Sequence, residues 1–230
     1  MTTTPRAPET DGRRRAAAVR RRAREAEIIA ATRAEFDRQG VGEMRIEDIA
    51  AAVGINRAIV YRVFTGKEEL FALTLVSYLD EMRDELAAAG ASTTAPAERL
   101  AAIVGAFVDY GVAHPAFVDC AQALMRRRGE DLLAEITESA LYRLGRAISS
   151  CLTILTTALE DGVASGDFTI TGDAALMSNT LYASGLGALQ LARVGILVTE
   201  TSPGVPTVGS ITAEQVRAHL VASALALAGG

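Results

Sequence analysis

The stretch IEDIAAAVGINRAIVYRVFT, residues 46–65, has the pattern of two short helices joined by a tight turn. Ile49 and Val53 recur at helical spacing and are predicted to form the buried face of the first helix. Ala50 lies where the two helices approach each other, a position that accepts only a small side chain. Gly54 can adopt the positive φ that ends the first helix. The stretch therefore predicts a helix-turn-helix.

The second half of this stretch supports the same interpretation. Ile55 is predicted to fill the turn, and Asn56 is placed to cap the second helix with its side-chain oxygen. Val60 and Val63 then form the buried face of that helix. An ordinary helical hairpin is the alternative interpretation, but a hairpin does not require small, glycine and apolar residues at all of these offsets.

The amino-acid composition predicts an all-α protein around this motif. The 230 residues include 43 alanines, 5% are aromatic, and tryptophan is absent. Alanine is the best helix former and packs poorly in sheets. No segment shows a convincing strand pattern; residues 130–164 are predicted to form one long helix and residues 195–211 a loop. The uncharged stretch Ala174–Ala192 contains polar residues and two glycines, so we expect a buried packing helix and no membrane span.

The net charge of −5 conceals two unlike parts. Residues 1–70 contain 14 basic and 11 acidic residues, whereas residues 71–230 contain 9 and 17. Seven arginines lie within residues 13–24. A basic N-terminal segment before an acidic body is typical of DNA binding, although a solvated tail is the alternative.

The outer surface of the second helix carries the candidate base-reading side chains. These are Arg57, Ala58, Tyr61 and Arg62, with Ile59 near the edge of the surface. Arginine can form two hydrogen bonds with a guanine edge, and small apolar side chains can contact a thymine methyl group. Tyr61 can reach a phosphate, and Lys67 at the start of the next helix is a second candidate phosphate contact. The pattern predicts binding to double-stranded DNA; solvated surface charges are the alternative.

Residues 28–71, about a fifth of the chain, resemble the TetR family of one-component transcriptional regulators. The resemblance rests on Ile28-Ile29, Phe36 and Gly40, on Ile46, Ile49-Ala50 and Val53-Gly54-Ile55, on Asn56-Arg57-Ala58, Val60-Tyr61 and Phe64, and on Lys67-Glu68-Glu69-Leu70. It implies a three-helix DNA-binding domain followed by a larger helical body. It further implies that this body forms a homodimer through its last two helices and holds an effector pocket.

The chain departs from the pattern of this family at four places: Met44-Arg45, Asn56, Ala58-Ile59, and Val63, which replaces a common tyrosine before Phe64. Met44-Arg45 stands where two threonines are common, and we expect Arg45 to contact phosphate instead. Asn56 replaces the usual serine cap, and Ala58-Ile59 replaces a common Gly-Thr pair. These changes leave the predicted fold intact and alter the expected operator sequence. The full set of candidate DNA-binding residues is Arg45, Asn56, Arg57, Ala58, Ile59, Tyr61, Arg62 and Lys67.

The sequence and the resemblance together predict three regions. Residues 1–19 are expected to be a disordered basic arm, 20–66 the helix-turn-helix domain, and 67–230 a helical effector-binding and dimerisation domain. The expected function is that of a repressor, released from a pseudo-palindromic operator by a small, largely apolar effector. Candidate pocket residues are Phe107, Tyr110, Phe117, Met125, Tyr142, Met177 and Tyr182; ordinary core packing is the alternative for each.

Other classes of protein fit the sequence less well. Neither histidine forms a recognisable dyad with a nucleophile, and no glycine-rich phosphate loop follows a strand, so an enzyme is not expected. Cys120 and Cys151 are too few for a disulfide framework, and no metal-ligand spacing occurs, so we expect neither metal nor cofactor. No secretory signal is evident, and we expect a cytoplasmic protein. An effector-independent architectural DNA-binding protein remains the second alternative.

Overall fold

The computed structural model describes residues 9–42 and 44–229. Within these residues the chain forms helices and one two-stranded hairpin. The helices are α1 (Glu9–Gln39), α2 (Ile46–Val53), α3 (Arg57–Val63), α4 (Lys67–Gly90), α5 (Pro96–Ala113), α6 (Pro115–Met125), α7 (Gly129–Glu135), α8 (Glu138–Ser165), α9 (Ala174–Val194) and α10 (Ala213–Gly229), and the strands are β1 (Ile196–Ser202) and β2 (Val205–Ser210). The expected all-α class describes everything except this hairpin.

The N-terminal head consists of the second half of α1 together with α2 and α3. Ile28 and Phe36 of α1, Ile49 of α2 and Val60 of α3 are buried together in its core. Gly54 has φ 70° and ends α2, so the chain turns sharply before α3 begins. The predicted helix-turn-helix is therefore present, with its two helices at the expected bounds.

The body is built around α4, which packs against α8 on one side and α5 on the other. Helix α10 packs against α5 and α9, and α9 packs against α8. The buried residues form one core that continues from the head into the body along α4. Within the described residues, no single helix is long and apolar enough to cross a membrane, although α5 and α6, bent by 99°, meet those criteria as a pair.

Helix α1 begins much earlier than the predicted disordered arm allows. Residues 9–19 are helical, so the predicted boundary between residues 19 and 20 falls inside a continuous helix. The reason is local: alanine and arginine are strong helix formers, and residues 13–18 contain only these two. The part of the predicted arm that comprises residues 1–8 lies outside the described residues.

The predicted loop over residues 195–211 is wrong, because this segment forms the antiparallel hairpin β1–β2. Residues 196–199 are apolar or β-branched, which favours an extended backbone. Pro206 argued for a loop, but a two-stranded hairpin has only edge strands, where proline is tolerated.

The predicted long helix over residues 130–164 is also wrong, because it is interrupted between α7 and α8. Thr137 is the N-cap of α8, and its hydroxyl accepts a hydrogen bond from the backbone N–H of Ala140 at 3.2 Å. Such a cap starts a new helix, since it satisfies a backbone donor that otherwise has no partner.

Candidate DNA-binding surface and interior cavity

Helix α3 exposes the predicted cationic surface and buries the predicted apolar one. Arg57, Ala58 and Arg62 are exposed, and Tyr61 is 52% exposed. Val60 is fully buried, whereas Ile59 and Val63 are half-buried. The polar side chains thus face solvent, while Val60 and its half-buried neighbours hold the helix on the head.

Two of the candidate residues are placed by helix capping. The Asn56 side-chain oxygen accepts a hydrogen bond from the backbone N–H of Ala58 at 2.9 Å, which confirms the predicted cap of α3. Arg45 stands at the N-cap position of α2, and its backbone N–H donates to the Asp48 carboxylate at 3.2 Å. This bond fixes the backbone of Arg45, and the residue is exposed at the start of α2.

Arg57 forms an ion pair across the helix-turn-helix with Glu47 of α2, at 2.8 Å. Both side chains are largely exposed. The hydrogen bond between them raises the pKa of the Arg57 guanidinium and lowers the pKa of the Glu47 carboxyl. The pair holds Arg57 toward α2, so any contact with a base must compete with Glu47 or share the guanidinium with it.

Lys67 has a structural partner that the sequence did not reveal. Its ammonium donates to the backbone carbonyl of Met44 at 2.9 Å and lies 4.9 Å from the centre of the Phe71 ring. These contacts hold the start of α4 against the loop before α2. The role of Lys67 as a phosphate contact stays a prediction.

The first half of α1 extends the head as a basic helix. Residues 12–23 are exposed, and most of the arginine cluster predicted from the sequence lies on them. Further along, Arg143 of α8 pairs with Glu25, which ties α1 to the body. A cleft of about 810 Å³ runs between α1 and the surfaces of α4 and α8.

Glu69 joins the head to the body through a buried carboxylate. It accepts hydrogen bonds from the backbone N–H of Thr65 at 2.6 Å and from the Thr65 hydroxyl at 2.7 Å. Its other oxygen accepts from the hydroxyl of Thr137, the cap of α8. Burial by itself raises the pKa of Glu69, but the hydrogen bonds from Thr137 and Thr65 outweigh it, so the pKa is lowered. One side chain thus connects the end of α3, the start of α4 and the start of α8.

A second polar network joins α1 to the body. Arg33 pairs with Glu81 of α4 and lies 4.2 Å from the centre of the Tyr78 ring. The Tyr110 hydroxyl donates to the Tyr78 carbonyl at 2.9 Å and lies 3.2 Å from Glu81. The Tyr78 hydroxyl donates to Asp37 at 2.8 Å. A shift of α4 therefore perturbs the contacts that hold α1 in place.

A small apolar cavity of about 50 Å³ lies in the body among α4, α5, α8, α9 and α10. Two predicted pocket residues, Phe107 and Tyr182, line it with ring centres 5.9 Å apart. The other lining residues are Met82, Leu86, Ile103, Val104, Cys151, Leu152, Leu155, Leu181, Gly185 and Leu220. Most of these residues are aliphatic and belong to the periodic apolar faces of their helices. The sequence prediction considered only aromatic residues and methionines, so it did not include them.

The remaining predicted pocket residues do not line this cavity. Tyr110 and Phe117 are fully buried in the adjoining core, and Met177 is half-buried. Met125 is 56% exposed because it is the last residue of α6, and Tyr142 is 68% exposed on the outer face of α8. For these two residues the expectation of a shared pocket is incorrect.

The cavity offers only neutral polar groups. The Cys151 thiol donates to the Leu79 carbonyl at 3.2 Å, and burial raises its pKa to about 12. Burial also raises the pKa of the Tyr182 hydroxyl. Both groups are therefore protonated at neutral pH, and the cavity suits an uncharged ligand because a buried charge would have no counter-ion there.

The hydrogen bonds that Glu69 accepts from Thr65 and Thr137 make a testable contribution to the free energy of unfolding. Glu69→Gln should lower the free energy of unfolding by about 1–3 kcal/mol at pH 7, because glutamine cannot accept all of the charged hydrogen bonds. The folded-state pKa is below the unfolded value of about 4.3, so this contribution is complete above that pH and is lost as pH falls through the folded-state pKa. Urea unfolding at pH 7 and at low pH measures it.

The neighbouring exposed residue provides the control for this experiment. Glu68 lies 3.5 Å from Arg127 at the surface, and Glu68→Gln should change stability by less than about 0.5 kcal/mol. An equal loss in both variants, or a loss for Glu69→Gln that is the same at all pH values, would contradict the assigned role.

Comparison with known proteins agrees with the geometry of the head. Residues 28–73 match the model of the bacterial regulatory proteins of the tetR family. The chain is similar to the HTH-type transcriptional regulators BetI of Rhizobium meliloti (strain 1021), with 33% identity over 81 residues, and of Brucella anthropi, with 32% identity over 81 residues. Each match covers 35% of this chain, and 39% and 42% of the two relatives respectively, so it spans about two-fifths of their length.

The fold of nearly the whole chain is also found in solved structures. RolR in complex with resorcinol superposes with a TM-score of 0.66 at 17% identity, covering 92% of this chain and 90% of RolR. A tetR-family regulatory protein from Rhodococcus RHA1 gives 0.64 at 20% identity, covering 89% and 96%. FadR of Bacillus subtilis, in complex with stearoyl-CoA, gives 0.60 at 15% identity, covering 88% and 96%. Residues 28–73 of this chain thus form a DNA-binding domain of the tetR family of bacterial regulatory proteins.

Proposed function

We propose that this protein is a ligand-responsive transcriptional regulator, a homodimer that represses from a pseudo-palindromic operator and is released by a small, largely apolar effector. The observation that carries the proposal is the connection between two features. A cationic recognition helix, α3, stands on a head that Glu69 and Arg33 join to a body with an apolar interior cavity. DNA binding and ligand binding can therefore influence each other through α4.

The exposed side chains of α3 support reading of the major groove. Arg57 and Arg62 can each form two hydrogen bonds with a guanine edge, while Ala58 and Ile59 can contact thymine methyl groups. Tyr61 and Arg45 are exposed and can contact phosphates, which would orient the helix in the groove. A guanine contact gives the Arg57 guanidinium hydrogen-bond acceptors in place of the Glu47 carboxylate.

The basic part of α1 supports a second contact with DNA. Its arginines lie on an exposed helix and can neutralise phosphates, which releases counter-ions and strengthens binding to any sequence. A helix presents these charges in a fixed arrangement, whereas a disordered arm would have to be ordered on binding. The extension therefore contributes affinity, and α3 contributes sequence preference.

An uncharged stripe on α9 supports a homodimer through the last two helices. Five exposed residues recur on one face of α9 at intervals of three or four: Leu176, Thr180, Ala183, Gly187 and Leu191. Helix α10 exposes Ala218, Ala222 and Ala226 at the same spacing. Small side chains let two helices approach closely, and a two-fold axis would bring the same stripe of a second copy against this one.

The small size of the cavity supports a mechanism of release. Ligand sites usually enclose about 300–1,000 Å³, so a ligand must displace side chains such as Phe107 and Tyr182 to enter. Met82 and Leu86 of α4 also line the cavity, and expansion would displace this helix. A ligand that binds only the expanded state shifts the population toward a different position of the head.

DNA recognition predicts opposite effects for two sets of variants. Arg57→Ala combined with Arg62→Ala should weaken binding to an operator selected from a random DNA pool by more than about 100-fold, since two base contacts are lost. Glu47→Gln should strengthen binding, because it removes a competitor for Arg57 and a negative charge near DNA. Gel-shift titration at fixed salt measures both, and circular dichroism verifies the fold. Unchanged operator affinity in the double arginine variant would contradict the assigned role of α3.

The basic part of α1 predicts a change in salt dependence. Replacing Arg13, Arg14 and Arg20 with glutamine should reduce the slope of log K against log salt by up to about 3 per protomer, since each phosphate contact contributes about 0.9. The control replaces Arg83, Arg146 and Arg193 of the body and alters the net charge equally. A slope that both triple variants share would show that this part of α1 does not contact DNA.

Because its polar groups are neutral, the cavity should bind uncharged ligands in preference to charged ones. The uncharged probe 2-naphthol should raise the melting temperature in a concentration-dependent manner, whereas 2-naphthoate, a charged molecule of similar size, should not. Val104→Ile should weaken the response because Val104 lines the cavity. Val108→Ile, one helical turn further along α5 in the packed core, is the control. Equal responses to both probes, or equal effects of both substitutions, would exclude this cavity as the site.

A further inference from the structure

The hairpin between α9 and α10 has no cover within the described residues. All thirteen residues of β1 and β2 are exposed. Val198 pairs directly with Val208, and these side chains are 66% and 71% exposed. Ile196 lies on the same face as Val198, because side chains alternate along a strand. This face of the hairpin therefore exposes three large apolar side chains to solvent, and Glu200 follows Val198 on the same face, nearer the tip.

The opposite face of the hairpin has a different character. Thr199 pairs with Thr207 on that face, and the Thr207 hydroxyl lies 3.3 Å from the hydroxyl of Thr201. Leu197, which is 39% exposed, is the one large apolar side chain of the strands on this face before the irregularity at the tip. Threonines tolerate water, whereas the valine pair gains free energy only when it is buried. The two faces thus predict which side of the hairpin meets a partner.

An isolated two-stranded hairpin is at best marginally stable in water. This hairpin is nevertheless held in a defined direction at its base. Gly195, with φ 69°, ends α9, and its carbonyl accepts a hydrogen bond from the backbone N–H of Ile211 at 3.1 Å. Among the described residues, the strands are thus supported mainly at their base, where β1 follows α9 and β2 leads to α10. Burial of the valine face against another molecule would supply the missing stabilisation.

The charges of the hairpin identify the kind of molecule that covers it. Glu200 is its one charged residue, and the carboxylate accepts a hydrogen bond from the backbone N–H of Gly204 at the tip. Nothing on the hairpin would therefore attract DNA or a charged peptide. The uncharged stripe of α9 continues through Leu191 and Val194 directly into β1. A molecule that covers this stripe also meets the hairpin.

We infer that the hairpin is a dimerisation arm, whose Val198–Val208 face lies on the partner subunit of the homodimer. This inference rests on the proposed homodimer through α9 and α10. A two-fold axis makes the contact reciprocal, since each subunit then both extends an arm and receives one. Mutual coverage also buries an apolar surface that would otherwise promote aggregation.

Two matched variants test which face of the arm is buried. Val198→Lys with Val208→Glu introduces a cross-strand ion pair that preserves the hairpin but places charges on the apolar face. Thr199→Lys with Thr207→Glu introduces the same pair on the opposite face. Sedimentation analysis should give a dimer of twice the 24.1 kDa chain mass for the wild type. The valine-face variant should raise its dissociation constant by about tenfold or more, and the threonine-face variant should leave it unchanged.

A third variant separates the arm from the homodimer itself. Gly187→Arg places a charge in the centre of the α9 stripe and should give a monomer. If Gly187→Arg dissociates the dimer but both hairpin variants behave like the wild type, the arm is refuted and the homodimer stands. Equal weakening by both hairpin variants also refutes the arm. A wild-type protein that stays monomeric refutes both the homodimer and the arm. If the wild type is a tetramer and the valine-face variant is a dimer, the hairpin mediates a contact between dimers, and the inferred arm is also refuted.

The absence of tryptophan from the chain provides an independent measurement. Val208→Trp places a single fluorophore on the apolar face, and Thr207→Trp places one on the other face. Emission from Val208→Trp should shift to the blue as dilute protein is concentrated through the dimer transition, while emission from Thr207→Trp should stay that of an exposed indole. The absence of a shift for Val208→Trp in a protein that sediments as a dimer would overturn the inference.

Discussion

Helix α4 forms contacts with the head and with the body at the same time, and the rest of the structure depends on this constraint. Its first turn carries Glu69, which is buried between Thr65 of the head and Thr137 of the body. Its middle carries Tyr78 and Glu81, which hold α1. Its later turns pack against α5 and α8 and line the apolar cavity. A helix cannot bend easily without loss of its own hydrogen bonds, so displacement at one end is transmitted to the other.

Charge and burial divide the protein into surfaces with different tasks. Arginines concentrate on α3 and the first half of α1, where they remain exposed and able to meet phosphate or bases. The cavity contains only neutral polar groups, because burial keeps the Cys151 thiol and the Tyr182 hydroxyl protonated. The outer stripe of α9 is uncharged, with small side chains in its middle and a leucine at each end. The proposed function assigns a different ligand to each of these surfaces: nucleic acid, an apolar small molecule, and a second copy of the chain.

Local patterns predicted the head well and the periphery of the body less well. Ile49, Gly54, Asn56 and Val60 lie where their spacing indicates, because a helix-turn-helix is specified by contacts between neighbouring residues. The hairpin was missed because Pro206 is unfavourable in a central strand, and the sequence does not reveal that both strands are edges. The early start of α1 was missed because a charged segment resembles a disordered one in composition.

The sequence by itself determined the predominantly helical character, the helix-turn-helix and the cationic face of α3, because these follow from composition and from residue spacing within a few turns. Only the tertiary structure decided which side chains meet across the chain. Arg57 pairs with Glu47, and Lys67 donates to the Met44 carbonyl. Phe107 and Tyr182 line the cavity. Met125 and Tyr142 are exposed and lie away from it. Spacing along one helix fixes the direction of a side chain, whereas its partner depends on how other helices pack against that face.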